Sequence, residues 1–189
     1  MFHSNDQTDN TQKRNDMTKA RANKILLKAA YSGDMETLRS ALAAGAEVNA
    51  VDNDGWSSLM HAAIRGDEVC VKLLLEAGAD VNVKSEFQHT CLMFASGGGH
   101  AECVRLLLAA GVDVNTVAAD GMSSLLRASE EGHAECVKLL IDAGADVNLE
   151  DYSGYSIVMR AAEKGHMECL RLLFAAGAST RGLASVLRC

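Results

Sequence analysis

Short apolar stripes ended by glycine recur along the chain, and each stripe has the spacing of a helix rather than a strand. In SSLMHAAIRG (57–66) the pattern predicts one helix, with Ser57 or Ser58 as its cap and Gly66 near its end. In DEVCVKLLLEAG (67–78) the apolar residues Cys70, Val71, Leu74 and Leu75 share one face at helical spacing, and Gly78 closes the segment. Asp67 and Glu68 sit where the positive end of that second helix favours acidic side chains. ADVNVKSEFQ (79–88) then reads as an extended, hairpin-like link. The pattern therefore predicts two short helices and a loop, after which it starts again.

The repeat has one length. Gly33, Gly66, Gly99, Gly132 and Gly165 are evenly spaced; so are Gly45, Gly78, Gly111, Gly144 and Gly177, and so are Asn49, Asn82, Asn115 and Asn148. Three rows with a common period of 33 residues predict stacked supersecondary units. Within each unit the S/T-x-L-x-x-A pattern appears as SSLMHA (57–62), TCLMFA (90–95) and SSLLRA (123–128), and more loosely as SIVMRA (156–161). An L-L-x-x-G-A-D-V-N segment is nearly complete three times, ending at Asn82, Asn115 and Asn148.

These segments resemble the ankyrin repeat. The resemblance implies an all-α repeat solenoid of helix-turn-helix units joined by β-hairpin-like loops, whose hairpin tips and inner helices grip other proteins. It covers about 19–182 as five repeats, at 19–51, 52–84, 85–117, 118–150 and 151–182, the first of them degenerate. There are departures. The chain has no proline, and Ser58, Cys91, Ser124 and Ile157 stand where the family opens its first helix with one. Met60, Met93, Leu126 and Met159 replace the family's histidine. The resemblance also makes Asn82, Asn115 and Asn148 candidates for hydroxylation by an iron-dependent asparaginyl hydroxylase. Residues 1–18 are polar enough to be expected as a disordered tail. Residues 183–189 form a C-terminal tail in which Leu183, Val186 and Leu187 either cover the last repeat or leave a cap that self-associates.

Composition narrows the function. Hydrophobic residues make up 48% of the chain and aromatics 4%, so the core must be aliphatic. No run approaches the roughly 18 apolar residues of a membrane span, and the polar start lacks the apolar stretch of a secretory signal. From Ile25 onward there are 13 Lys/Arg and 22 Asp/Glu, a balance of −9 that argues against a nucleic-acid partner. Six cysteines without a secretory signal suit a reducing compartment. The expectation is a cytoplasmic, or alternatively nuclear, monomeric scaffold with a protein partner, no membrane association and no cofactor.

Candidate chemistry is thin. Cys70, Cys103, Cys136 and Cys169 lie one repeat apart, as do His100, His133 and His166. Adjacent units stack at about 8–10 Å, too far for a disulfide or a tetrahedral zinc site. The cysteines read as small core residues; the histidines match the family's Gly-His turn, and the resemblance implies that they open the second helix and bond across the turn to backbone. Cys91 falls outside the row at a helix start, where the dipole lowers a thiol's pKa, with His89 nearby. It is the basis of an alternative reading as a redox-sensitive regulator; a recognition subunit of a separate enzyme complex is another. No arrangement has the form of a catalytic triad, a nucleophile elbow or a phosphate loop.

The aromatic residues instead point to a binding surface. Of eight, Trp56, Phe87, Tyr152 and Tyr155 fall at expected hairpin tips, Phe94 and Tyr31 on inner helices, and Phe174 in an expected core slot. Aromatics and arginine are the usual anchors of protein interfaces. The expected partner-binding residues are Trp56, His61, Arg65, Phe87, His89, Phe94, Gly98, Met122, Arg127, Tyr152, Tyr155 and Arg160. Gly97 and Gly98, where other repeats carry larger side chains, predict a shallow notch beside Phe94 with Met122 and Arg127 nearby.

Overall fold

The computed structural model describes the backbone of residues 5–183 and the side chains from residue 15 onward. Among the described residues the chain forms paired helices: α1 (Asn5–Ser32) with α2 (Met35–Ala43), α3 (Ser58–Arg65) with α4 (Glu68–Glu76), and α5 (Cys91–Gly97) with α6 (Ala101–Ala109). Then follow α7 (Ser124–Glu130) with α8 (Ala134–Asp142), and α9 (Ile157–Glu163) with α10 (Met167–Ala175). The odd-numbered helices pack each on the next as an inner row; α4, α6, α8 and α10 do the same as an outer row. The result is the expected all-α solenoid. No described helix is long and apolar enough to cross a membrane.

Local chemistry sets each helix start. Ser57, Thr90, Ser123 and Ser156 sit in extended backbone and accept hydrogen bonds from the N–H groups of Met60, Met93, Leu126 and Met159. Each such cap stabilises its helix by about 1 kcal/mol, offsetting the missing proline one position later. Asp34 and Asp67 cap α2 and α4 through their carboxylates. At α6, α8 and α10 the cap residue is His100, His133 or His166, whose ring makes no capping bond.

Those rings reach backward to the preceding repeat instead. Each Nε2–H donates to a carbonyl at the end of the previous inner helix: Ile64 at 3.2 Å, Gly97 at 3.0 Å and Glu130 at 2.9 Å. The close approach needs glycine beneath it, since a Cβ on Gly66 would lie 2.3 Å from the His100 ring. The repeated histidine is thus a clasp between units.

A second clasp runs along the loops. The Oδ1 atoms of Asn49, Asn82, Asn115 and Asn148 accept from the N–H groups of Asp80, Asp113, Asp146 and Ser179 in the next repeat at 2.8–3.0 Å. In the first repeat Asn23 of α1 supplies the same bond to the Glu47 N–H at 2.8 Å. This rung is one reason α1 belongs to the solenoid.

The core is aliphatic, built from Leu59, Leu92, Leu125 and Val158 on inner helices and Leu74, Leu107, Leu140 and Leu173 on outer ones. The cysteine row at 70, 103, 136 and 169 is buried among them. Two expectations change here. Residues 5–18, expected as a disordered tail, form the first half of α1. The chain from Asn5 to Ser32 has neither glycine nor proline to stop a helix, and its second half is pinned by the buried Ala22, Leu26, Ala29 and Ala30. Phe174, assigned to a core slot, is 41% exposed because Leu173 fills that slot. Leu183 packs on the last repeat, while Val186 and Leu187 lie outside the described residues.

Candidate functional site

Each hairpin carries a bulky residue just before its inner-helix cap: Trp56, His89, Met122 and Tyr155. Each inner helix presents one side chain, three residues beyond its first, to the same surface: His61, Phe94, Arg127 and Arg160. The stacking brings these two series into one line. The Trp56 indole lies 4.3 Å from the Phe94 ring and 5.3 Å from the His61 ring, both between centroids. Tyr31 meets His61 edge-on at 5.6 Å, and His89 meets Phe94 edge-on at the same distance. From His89 the line continues to Arg127, whose Nη2 donates to His89 Nε2 at 2.9 Å and to Asp120 Oδ2 at 3.2 Å. Phe87 stands beside His89, 63% exposed at its tip.

Carboxylates at the hairpin bases hold parts of this line in place. Asp52 accepts from the Asp54 and Trp56 N–H groups through Oδ1 and from His61 Nε2 through Oδ2 at 2.9 Å. Asp151 does the same in the last repeat, accepting from Ser153 and Tyr155 N–H and from the Arg160 guanidinium. Burial works against the charge of Asp151, yet Arg160 and the two backbone donors hold its carboxyl below the usual range. Both anchors open a D-x-x-G spacing, Asp52 before Gly55 and Asp151 before Gly154, which is the signal in the sequence that could have found them.

The structure sorts the expected binding residues. Trp56, His61, Phe94, His89 and Arg127 are brought together, half-buried, in one row. Phe87 and Tyr152 are exposed at their tips. Tyr155 and Arg160 form a separate cluster in which the guanidinium lies 4.6 Å over the Tyr155 ring, with Glu130 3.5 Å away on its other flank. Arg65 is exposed on α3, its guanidinium over Gly33. Met122 departs from expectation. It is 9% exposed and belongs to the core, because its slot lies between hairpin and inner helix and an aliphatic chain folds inward there.

The notch is present in the third repeat. An open depression of about 340 Å³ is lined by Ile64, Met93, Phe94, Gly97, Gly98, Arg127, Glu130 and Glu131. The two glycines differ in role. A Cβ on Gly97 would meet only Arg127 side-chain carbons at 3.7 and 3.9 Å, ordinary contact. A Cβ on Gly98 would lie 2.5 Å from His100 Nε2, so Gly98 is chiefly the seat of the His100 clasp.

Cys91 is not the reactive thiol that its helix-start position suggested. It is 2% exposed, its Sγ donates to the Val81 carbonyl at 3.2 Å, and burial pushes the thiol up to about 12. The dipole effect is overwhelmed by loss of solvent. The row cysteines move the same way, Cys70 to about 12 and Cys103 and Cys136 to about 11, again through burial. Asn82, Asn115 and Asn148 are exposed, with their carbonyl oxygens engaged in the loop clasp.

A search of curated proteins finds no match to this chain. A family model described as Ankyrin repeats (3 copies) matches residues 7–85, 26–118 and 92–182. These overlapping matches span nearly the whole described chain, and the repeat geometry agrees with them throughout. The chain belongs to the ankyrin repeat family, whose members are generally protein–protein interaction modules.

Proposed function

We propose that this protein is a non-catalytic scaffold that binds a partner protein across its inner face and hairpin tips. The observation that carries this reading is the row Tyr31, His61, Trp56, Phe94, His89 and Arg127, continuous across four repeats in a chain with few aromatics. A rigid, partly desolvated strip of rings beside the exposed Phe87 offers the anchors that dominate protein interfaces. The strip needs no motion to form, which reduces the ordering cost of binding. Tyr155, Arg160 and Tyr152 extend the surface into the last repeat, and Arg65 adds to it in the second. Met122 supports the strip from below. The protein acts as a monomer in the cytoplasm or nucleus, and its partner is neither a nucleic acid nor a membrane. By family resemblance, Asn82, Asn115 and Asn148 are its candidate hydroxylation sites.

A comparative pull-down tests the reading. Ile64, Phe87 and Tyr152 are exposed, so a triple serine variant keeps the fold. Partners recovered with wild type are expected to be lost with this variant and kept when the outer-face Val69 and Met167 are changed to serine. Recovery by all three alike would refute the surface assignment.

A further inference from the structure

The notch in the third repeat has two unlike walls, and together they specify what can enter it. Its floor is apolar, made by Phe94 and Met93 and left open by the absent side chain at Gly97. Ile64, 42% exposed, forms one wall; Glu130 and Glu131 form the other. The charges at its edge are not equally satisfied. Arg127 is held through Nη2 by Asp120 at 3.2 Å and His89 at 2.9 Å, its Nε buried without a partner, and Glu130 shares Arg160 at 3.5 Å, but Glu131 makes no ion pair among the described residues. The unpaired Glu131 carboxylate beside the apolar floor favours a side chain that is apolar along its length and positive at its end. A wholly apolar group would leave the Glu131 carboxylate facing it, and an acidic group would be repelled.

We propose that the notch takes one lysine or arginine side chain from a partner segment, its stem on Phe94 and its charge against Glu131. Such side chains bury their methylene stems on apolar surface while keeping the head solvated or paired. The charge of the domain agrees, since residues from Ile25 onward carry a balance of −9, which steers a basic segment toward it. This deepens the proposed function and rests on it.

Selection from a phage-displayed library of random peptides against the full chain tests the proposal, with enriched peptides synthesised and their Kd measured on variants. Gly97→Leu puts a side chain into the notch from a Cβ that meets only ordinary contacts and places a better helix former in α5; Glu131→Gln removes the charge alone. The expected result is enrichment of a Lys or Arg position whose peptides bind Glu131→Gln about tenfold more weakly, the size of one lost charge-assisted contact. Gly97→Leu is expected to reduce binding at least as much, with helicity by circular dichroism unchanged. Acidic or wholly apolar consensus peptides, or an unchanged Kd in either variant, would overturn the notch assignment. If such peptides are lost on Phe87→Ser or Phe94→Leu, the inner-face reading stands without it. Peptides indifferent to every one of these variants, or no enrichment at all, would overturn both.

Discussion

The Trp56 indole of the second repeat rests 4.3 Å from the Phe94 ring of the third, so a residue expected to face a partner also joins two units of the stack. Aromatic pairs of this kind contribute about 0.5–1.5 kcal/mol beyond the area they bury. Trp56 is the chain's one tryptophan, and its emission therefore reports on this contact. Phe94→Leu is expected to shift the emission to longer wavelength and lower stability to urea by about 1 kcal/mol. An unchanged spectrum would show that the rings are not in contact in solution.

The hairpin of the third repeat holds Gln88 at φ 62°, where the other hairpins use Gly55, Gly121 and Gly154. A side chain in the left-handed region costs about 1–2 kcal/mol, and glycine's greater freedom when unfolded returns part of that. Gln88→Gly is expected to raise stability by about 0.5–1 kcal/mol in urea unfolding. A loss of stability would mean that the Gln88 side chain has a role beyond its backbone.

The asparagine clasp makes stability a property of neighbouring pairs. Asn115 accepts from the Asp146 N–H at 2.8 Å and donates to the Gly144 carbonyl at 3.2 Å, both in the following repeat. Asn115→Ala is expected to cost about 1–2 kcal/mol, two net hydrogen bonds. Amide hydrogen exchange is expected to speed most in the third and fourth repeats, which this clasp joins. Uniform acceleration along the chain would contradict a clasp that acts locally.

His89 must be neutral to accept from Arg127, and burial, then the charge of Arg127, hold its imidazole below the ordinary 6.5 against the opposing pull of Asp120. With the folded value lower than the unfolded one, this contact contributes fully above about pH 6.5 and is lost as pH falls through the folded value. Wild type is therefore expected to lose more stability between pH 7 and pH 5 than His89→Gln, which cannot titrate. Parallel stability curves for the two would refute the contact.

Much of the fold was legible because the period itself carries it. The rows of glycine and asparagine mark turns and clasps whose geometry allows few other residues. The row of side chains proposed for binding was half legible. His61, Phe94 and Arg127 follow from helical spacing, but the slot before each cap is filled by whatever the next repeat leaves room for. Trp56 is held out on the surface by Phe94, Met122 folds into the core, and Tyr155 is pinned by Arg160. Neighbour packing of that kind has no local signature. Cys91 shows the same limit, since its position at a helix start is visible in the sequence and its burial under Val81 is not. The first half of α1 was missed because polar composition indicates solvent exposure and says little about backbone, which here meets no breaker before Gly33.

The most direct test of partner binding on the inner face is site-specific photo-crosslinking in cells. A benzophenone amino acid replaces Ile64 or Phe87 on the proposed surface, or Val69 or Met167 on the outer helices, all four of which are exposed. The expected result is a shared crosslinked partner from positions 64 and 87 and none of it from 69 and 167. The same partner captured from the outer positions, with none from the inner ones, would contradict the assignment.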